Sequence, residues 1–283
     1  MEERAGIITS RQTQKVVEVG KLTDRRAREE SGCFRFDGIK LAAEAVQNGL
    51  VLPVILLRES NTDAVSERLL RDTGRSVCDC ADRVLTLSDG VFDKISEEKS
   101  PEGVICVAKY LDKCKKIATI YSDGKIPGSG ETVVLLESVR DPANVGAIIR
   151  SAAAFGVDRL ILSEDCADVY NAKAVRASMG TLFGQTVDRV GDLRGVIGQL
   201  RASGRRVFAA ALDERAQRLG EFDVHTGDCV VIGNEGHGLS AAVSDAADER
   251  VFIPMTERAE SLNAAVAASV LMWEFAKKAG RRT

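Results

Sequence analysis

The residues best suited to chemistry fall in three separated stretches of the second half of the chain. The first is Asp141-Pro142-Ala143-Asn144-Val145-Gly146-Ala147-Ile148-Ile149-Arg150. It follows an apolar run closing on Leu135-Leu136-Glu137, so a strand gives way to a helix opened by a capping carboxylate and a first-turn proline. Gly146 and Arg150 are spaced to share one helical face, and the glycine leaves space that the guanidinium can reach into. Taken alone, Arg150 reads as a surface residue of an amphipathic helix. An asparagine, a glycine and an arginine at this spacing just after a strand are much less common.

The second stretch, Ile232-Gly233-Asn234-Glu235-Gly236-His237-Gly238-Leu239-Ser240, follows the apolar run 229–232. Its glycines let the backbone turn tightly around a ligand. Their order is not that of a dinucleotide fingerprint, and no lysine completes a phosphate-binding loop. A nucleotide-dependent dehydrogenase is set aside on that ground. A turn without a ligand has no need of Glu235. In the third stretch a strand ends at Ile253-Pro254-Met255, and an acidic loop leads through Glu260 to Ser261-Leu262-Asn263 at the start of the last helix. Ser261 is a natural helix cap. All three stretches place small or polar residues at strand ends and helix starts, where backbone amides can meet a ligand.

The elements around them alternate. Strands are expected at 132–136, 159–162, 186–190, 206–210, 229–232 and 251–253, with helices at 144–155, 172–183, 193–202, 239–246 and 262–278. Apolar strands between helices indicate an α/β domain built on a parallel sheet covered on both faces. The first part of the chain also alternates, with helical patterns at 11–30, 38–48 and 62–73 and strand-like runs at 33–36, 52–57 and 103–107, a small α/β domain of its own. The run Asp123-Gly124-Lys125-Ile126-Pro127-Gly128-Ser129-Gly130 reads as a linker. The expected division is 1–115, a linker at 116–130, and 131–283.

With 283 residues the chain is long enough for two cores. The longest apolar candidates, 50–57 and 264–273, are too short to span a bilayer. Met1-Glu2-Glu3-Arg4 lacks the features of a signal peptide, so a cytoplasmic location is expected. Seven cysteines without a paired C-x-x-C spacing argue against a disulfide framework and a zinc site, and no metal is expected. Cys78 and Cys80, if in a strand, would share a face. A net charge of −3 gives no global attraction to nucleic acid. Basic residues nevertheless cluster at Lys21–Arg28, at Lys109–Lys116 and in the tail (Lys277, Lys278, Arg281, Arg282), and these clusters are candidate phosphate contacts.

In order, spacing and identity the three stretches resemble the signature motifs of the SpoU (TrmH) family of RNA ribose 2′-O-methyltransferases, within the SPOUT superfamily. Phe34-Arg35-Phe36-Asp37-Gly38 is similar to part of the family's N-terminal RNA-substrate-binding module, with aspartate where the family usually has glutamate. Lys173-Ala174-Val175-Arg176-Ala177-Ser178-Met179-Gly180 resembles the family's helix between the first two motifs. The resemblance implies S-adenosyl-L-methionine as cofactor, bound by backbone groups at Gly233, Ile253 and Leu262 with Met255 close by. It implies Arg150 as the principal catalytic residue, Asn144 in support, and Glu235, Ser261 and Asn263 as polar site residues. Arginine stays protonated in proteins, so a role in polarising the hydroxyl while clamping a phosphate, with Glu235 orienting Arg150, is the expected form of its action. A deep trefoil knot is implied as well, against the general rule for chain topology, together with a homodimer formed through the C-terminal domain and its last helix. Ribosomal RNA is the expected substrate. Transfer RNA, or a catalytically silent RNA-binding assembly protein, are the alternatives.

Overall fold

The computed structural model describes residues 6–112, 114–117, 126–213, 216–256, 258 and 261–278. Linker residues Asp123, Gly124 and Lys125 lie outside the described residues, as do Glu260, Lys113, Arg281, Arg282 and the side chains of Lys115, Lys116 and Lys278. The elements run α1 (Gln14–Lys21), α2 (Arg25–Ser31), β1 (Cys33–Asp37), α3 (Ile39–Gln47), β2 (Val54–Arg58), α4 (Thr62–Thr73), β3 (Val84–Leu87), α5 (Asp89–Ile95) and β4 (Val104–Lys109). They continue with β5 (Cys114–Ile117), β6 (Val133–Leu136), α6 (Pro142–Ala154), β7 (Arg159–Ser163), α7 (Ala172–Ser178), β8 (Thr186–Val190), α8 (Leu193–Ala202) and β9 (Val207–Ala210). The last are β10 (Gln217–Arg218), β11 (Cys229–Ile232), α9 (Ala241–Ala246), β12 (Glu249–Phe252) and α10 (Ala264–Lys278).

Two units form. The first comprises Met1–Leu111 with Tyr170–Phe183, the second Asp112–Val169 with Gly184–Thr283. Strand β5 thus belongs to the second unit, and α7 belongs to the first although its sequence lies between two strands of the second.

In the first unit a four-stranded sheet has the order β1-β4-β2-β3, antiparallel except for the β2–β3 pair. One face carries a cluster including Val16, Val19, Leu56, Phe92 and Ile105. The helix expected over 11–30 is broken in two, because Asp24 turns its carboxylate onto the amides of Arg26 and Ala27 and starts a new helix. The arginines of the basic cluster there are partly engaged within the unit. Arg26 pairs with Glu30 at 2.7 Å and Arg25 with Glu29 at 2.9 Å, while Arg28 is buried and donates to the carbonyls of Leu22 and Thr23. Cys78 and Cys80 lie at a 3₁₀ turn, Cys78 exposed and Cys80 buried, so they share no strand face.

In the second unit eight strands lie in the order β10-β12-β9-β11-β6-β7-β8-β5, every described pairing parallel. Val133–Leu136 and Cys229–Ile232 are buried along their whole length, as strands covered on both faces must be. Below them Leu193, Val196, Ile197 and Leu200 of α8 complete one core, and α10 packs on α6 on the other side. From β6 the chain moves outward through β7 and β8, then returns on the opposite side through β9 and β11. That reversal opens a crevice beyond the carboxyl ends of β6 and β11, the usual ligand position in an open α/β sheet. Buried Arg205 donates to the carbonyls of Gly227 (2.7 Å), Gly128 (3.3 Å), Pro127 (3.4 Å) and Glu131. It therefore ties residues 127–131, at the end of the expected linker, to the turn before β11. Among the described residues no helix is long and apolar enough to cross a membrane.

Candidate active site

Helix α6 begins as the sequence suggests, with Asp141 accepting from the Ala143 amide at 2.8 Å and Pro142 in the first turn. Asn144, one turn in, is buried; Arg150, further along, is exposed. The buried amide faces the second stretch. Asn144 Nδ2 donates to Glu235 Oε1, and Asn144 Oδ1 accepts from Asn263 Nδ2 at 2.9 Å. Glu235, Asn144 and Asn263 thus form one hydrogen-bonded line drawn from all three stretches. Asn263 also accepts from the amides of Ala265 (2.9 Å) and Val266 (3.3 Å), so it is Asn263, not Ser261, that caps the last helix. Glu235 is engaged by Asn144 rather than by Arg150. The Arg150 side chain makes no hydrogen bond or ion pair among the described residues.

The glycine stretch closes on itself. Asn234 and Gly238 exchange both backbone hydrogen bonds, at 3.1 and 2.9 Å, and Asn234 Oδ1 accepts from the amides of Gly236 (2.8 Å) and His237 (3.3 Å). A Cβ on Gly233 would lie 2.3 Å from the Gly238 carbonyl carbon, and Gly238 holds φ +67°. Only glycine fits the first, and the second favours it.

Four residues to which the sequence assigns no role, Glu137, Ser138, Ser163 and Asp165, hold this loop in place. Glu137, at the end of β6, accepts from the Ser240 hydroxyl (2.6 Å) and amide (2.8 Å), while Ser240 caps α9. Ser138 adopts φ 56°, a conformation that costs a non-glycine residue energy. Its carbonyl accepts from Asn234 Nδ2 at 2.8 Å, its amide donates to Ser163 at 2.9 Å and its hydroxyl donates to Asp165. Burial alone would raise the Asp165 carboxyl, but hydrogen bonds from Ser138 and Ser163 outweigh it and hold the group below the ordinary carboxylate range. Short polar residues without periodicity carry no sequence signal for such a role.

A cavity of about 410 Å³ opens beside this framework. Gly233, Ile253, Met255 and Leu262, the expected cofactor contacts, all line it, with Glu235 and Ser261. Ala210, Ile232, Val251 and Leu271 give it apolar walls suited to a purine ring. Volume and chemistry fit S-adenosyl-L-methionine. Asn144, Asn263 and Arg150 are not among the lining residues, and the first two reach the cavity through Glu235. Among the described residues no group of three or more His, Cys, Asp or Glu side chains could hold a metal ion.

Comparison with known proteins gives the same direction. The model of the SpoU rRNA Methylase family matches residues 131–273, and that of the MRM3-like substrate binding domain matches 13–106. The chain is 31% identical over 280 residues to the 23S rRNA (uridine(2479)-2'-O)-methyltransferase of Streptomyces viridochromogenes, covering 96% of this chain and 92% of that one. It is 29% identical over 268 residues to the 23S rRNA (guanosine(2553)-2'-O)-methyltransferase RlmP of Bacillus subtilis, covering 95% and 98%. The crystal structure of an AdoMet-bound rRNA methyltransferase from Sinorhizobium meliloti superposes with a TM-score of 0.78 at 27% identity, over 96% of this chain and 97% of that one. The chain belongs to the SpoU rRNA methylase family.

Proposed function

We propose that the protein transfers a methyl group from S-adenosyl-L-methionine to a ribose 2′-hydroxyl of ribosomal RNA. The observation that carries this reading is the hydrogen-bonded line Glu235–Asn144–Asn263 at the edge of the 410 Å³ cavity, with Arg150 exposed on the same helix as Asn144. The sulfonium of the cofactor supplies an already activated methyl group, and the reaction needs no metal. The chain's own task is alignment and electrostatics. Asn144 and Asn263 hold the Glu235 carboxylate at the cavity wall. Arg150 clamps a phosphate of the substrate through its planar guanidinium and polarises the 2′-hydroxyl, which eases departure of its proton.

Residues 1–115 serve as the RNA-substrate-binding module in this reading, supported by the substrate-binding family match within them. A homodimer through the second unit is supported by Val266, Val270 and Trp273, which line one exposed stripe of α10. The deep trefoil knot implied by the family and a cytoplasmic location, where ribosomal RNA is met, belong to the same reading.

Incubation with methyl-tritiated cofactor and purified 23S, 16S or transfer RNA, followed by digestion to nucleosides, tests it. Label is expected in a 2′-O-methylnucleoside from ribosomal RNA. Label on a base, in transfer RNA alone, or nowhere would overturn the assignment.

A further inference from the structure

Two sequence segments that resemble family motifs, Phe34–Gly38 and Lys173–Gly180, take no part in the cofactor cavity, yet the first unit brings them together. Helix α7 packs on β1. The Phe34 ring lies 4.7 Å from Tyr170 and 6.4 Å from Phe183, Phe36 lies 5.2 Å from Phe183, and Tyr170 stacks on Tyr110 at 4.1 Å. Gly180, at φ +91°, sits where a Cβ would come within 2.7 Å of the Glu44 side chain, so the chain approaches α3 more closely than another residue would permit. On the other strand end Asp37 accepts from Arg35 (2.8 Å), the Ser96 hydroxyl (2.8 Å) and the Glu97 amide (3.1 Å), which draws the 96–98 loop onto β1.

These contacts frame a second cavity, of about 590 Å³, wholly inside the first unit. Leu41 and Met179 give it apolar surface, Lys40 and Lys99 bring positive charge, and Glu98 and Arg176 face each other within it. Of its other carboxylates, Asp37 is committed as above, Glu102 accepts from the Ile39 amide at 2.7 Å, and Glu97 is exposed at the rim. Glu98 and Arg176 stand 3.6 Å apart, an attraction too long for a hydrogen bond, and Glu98 also takes a backbone hydrogen bond from Glu102, so the guanidinium and the remaining lone pairs of the carboxylate are open to a ligand.

We propose that this cavity takes an unpaired guanine of the RNA substrate. The inference rests on the reading of RNA as substrate and deepens it. Guanine carries two N–H donors on its Watson–Crick edge, which suit a carboxylate, and the O6 and N7 acceptors, which suit a guanidinium. Adenine has no such donor pair beside two acceptors. In a duplex that edge is occupied, so the base must be unpaired. Leu41 and Met179 pack against the base, and the two lysines meet flanking phosphates. Part of the RNA-reading surface is therefore supplied by a segment lying in sequence within the methylase-matching region.

The test titrates the full chain with labelled single-stranded uridine oligomers carrying one central guanosine or, in its place, one adenosine. Roughly tenfold tighter binding of the guanosine oligomer is expected. Glu98→Gln and Arg176→Ala should each abolish that preference while cofactor affinity, measured by calorimetry, stays unchanged. Replacing Lys40 and Lys99 together by alanine should lower the slope of log affinity against log salt by about 1.4 and spare the preference. Equal binding of the two oligomers by the parent chain, no binding of either, or an intact preference in both cavity variants would sink the inference. If the parent chain nonetheless methylates 23S RNA, the enzyme assignment stands and only the guanine site falls.

Discussion

Asn144 and Glu235, 91 positions apart, are joined by a hydrogen bond from the asparagine amide to the carboxylate, and Asn263 completes the line. Removing the middle member strands both ends. Asn144→Ala should cost about 1–3 kcal/mol of local stabilisation and lower single-turnover methyl transfer on the order of tenfold or more. Asn144→Asp should be worse, since it sets one carboxylate against another. Rates of both variants alongside their melting curves check this, and an unchanged rate in Asn144→Ala would remove the line from catalysis.

Among the described residues the Arg150 side chain has no hydrogen-bond or ion-pair partner to lose. Arg150→Ala is expected to change stability by no more than about 0.5 kcal/mol while methyl transfer drops roughly 100- to 1,000-fold. Lysine should rescue little, because it lacks the planar fork that grips a phosphate. Comparing kcat and the pH–rate profile of Arg150→Lys with the parent decides whether the guanidinium acts in the chemistry.

The two glycines beside Asn234 differ in what they allow. A Cβ on Gly233 would collide with Gly238 at 2.3 Å, whereas one on Gly236 meets Asn234 Oδ1 at 3.5 Å. Gly233→Ala should weaken cofactor binding at least about tenfold through overpacking of the loop, and Gly236→Ala should leave it nearly unchanged. Calorimetric titration of both with S-adenosyl-L-methionine separates the roles.

If α10 carries a subunit interface, its exposed stripe must be apolar to work. Val270→Glu would bury a charge in that contact at a cost of several kcal/mol and should shift sedimentation from dimer to monomer. A parent chain that sediments as a monomer, or a variant that remains dimeric, would place the interface elsewhere or remove it.

Cysteine reactivity should follow burial. Desolvation pushes the Cys229 thiol up to about 12 and raises Cys106 still further, whereas Cys78 is exposed. Only the thiolate reacts, so near neutral-to-mildly-alkaline pH Cys229 presents it at roughly one part in ten thousand or less. Iodoacetamide on the native protein should modify Cys78 and spare Cys106 and Cys229, read by peptide mass spectrometry. Denaturant should expose all of them.

Much of the second unit is legible in the sequence because its strands are buried on both faces. Such strands must be apolar throughout, as Val133–Leu136 and Cys229–Ile232 are, and a helix start such as Asp141-Pro142 declares itself by its cap. The cofactor loop is legible too, since Gly233 and Gly238 meet steric demands that other residues cannot. Arg25 and Arg26 each precede a glutamate by four, a spacing that by itself favours ion pairs along the helix surface.

Other features depend on contacts between distant positions, which no local pattern encodes. Ser138 and Asp165 are single polar residues whose importance arises only when β6, β7 and β11 lie side by side. The sequence names Asn144, Glu235 and Asn263, but the parallel sheet brings them into one line and leaves Arg150 outside it. Likewise, α7 reads as one more crossover helix. Its place against β1 is decided by aromatic packing of Tyr170 and Phe183 on Phe34 and Phe36 across more than a hundred residues, which buries surface that neither segment can cover within its own stretch of chain.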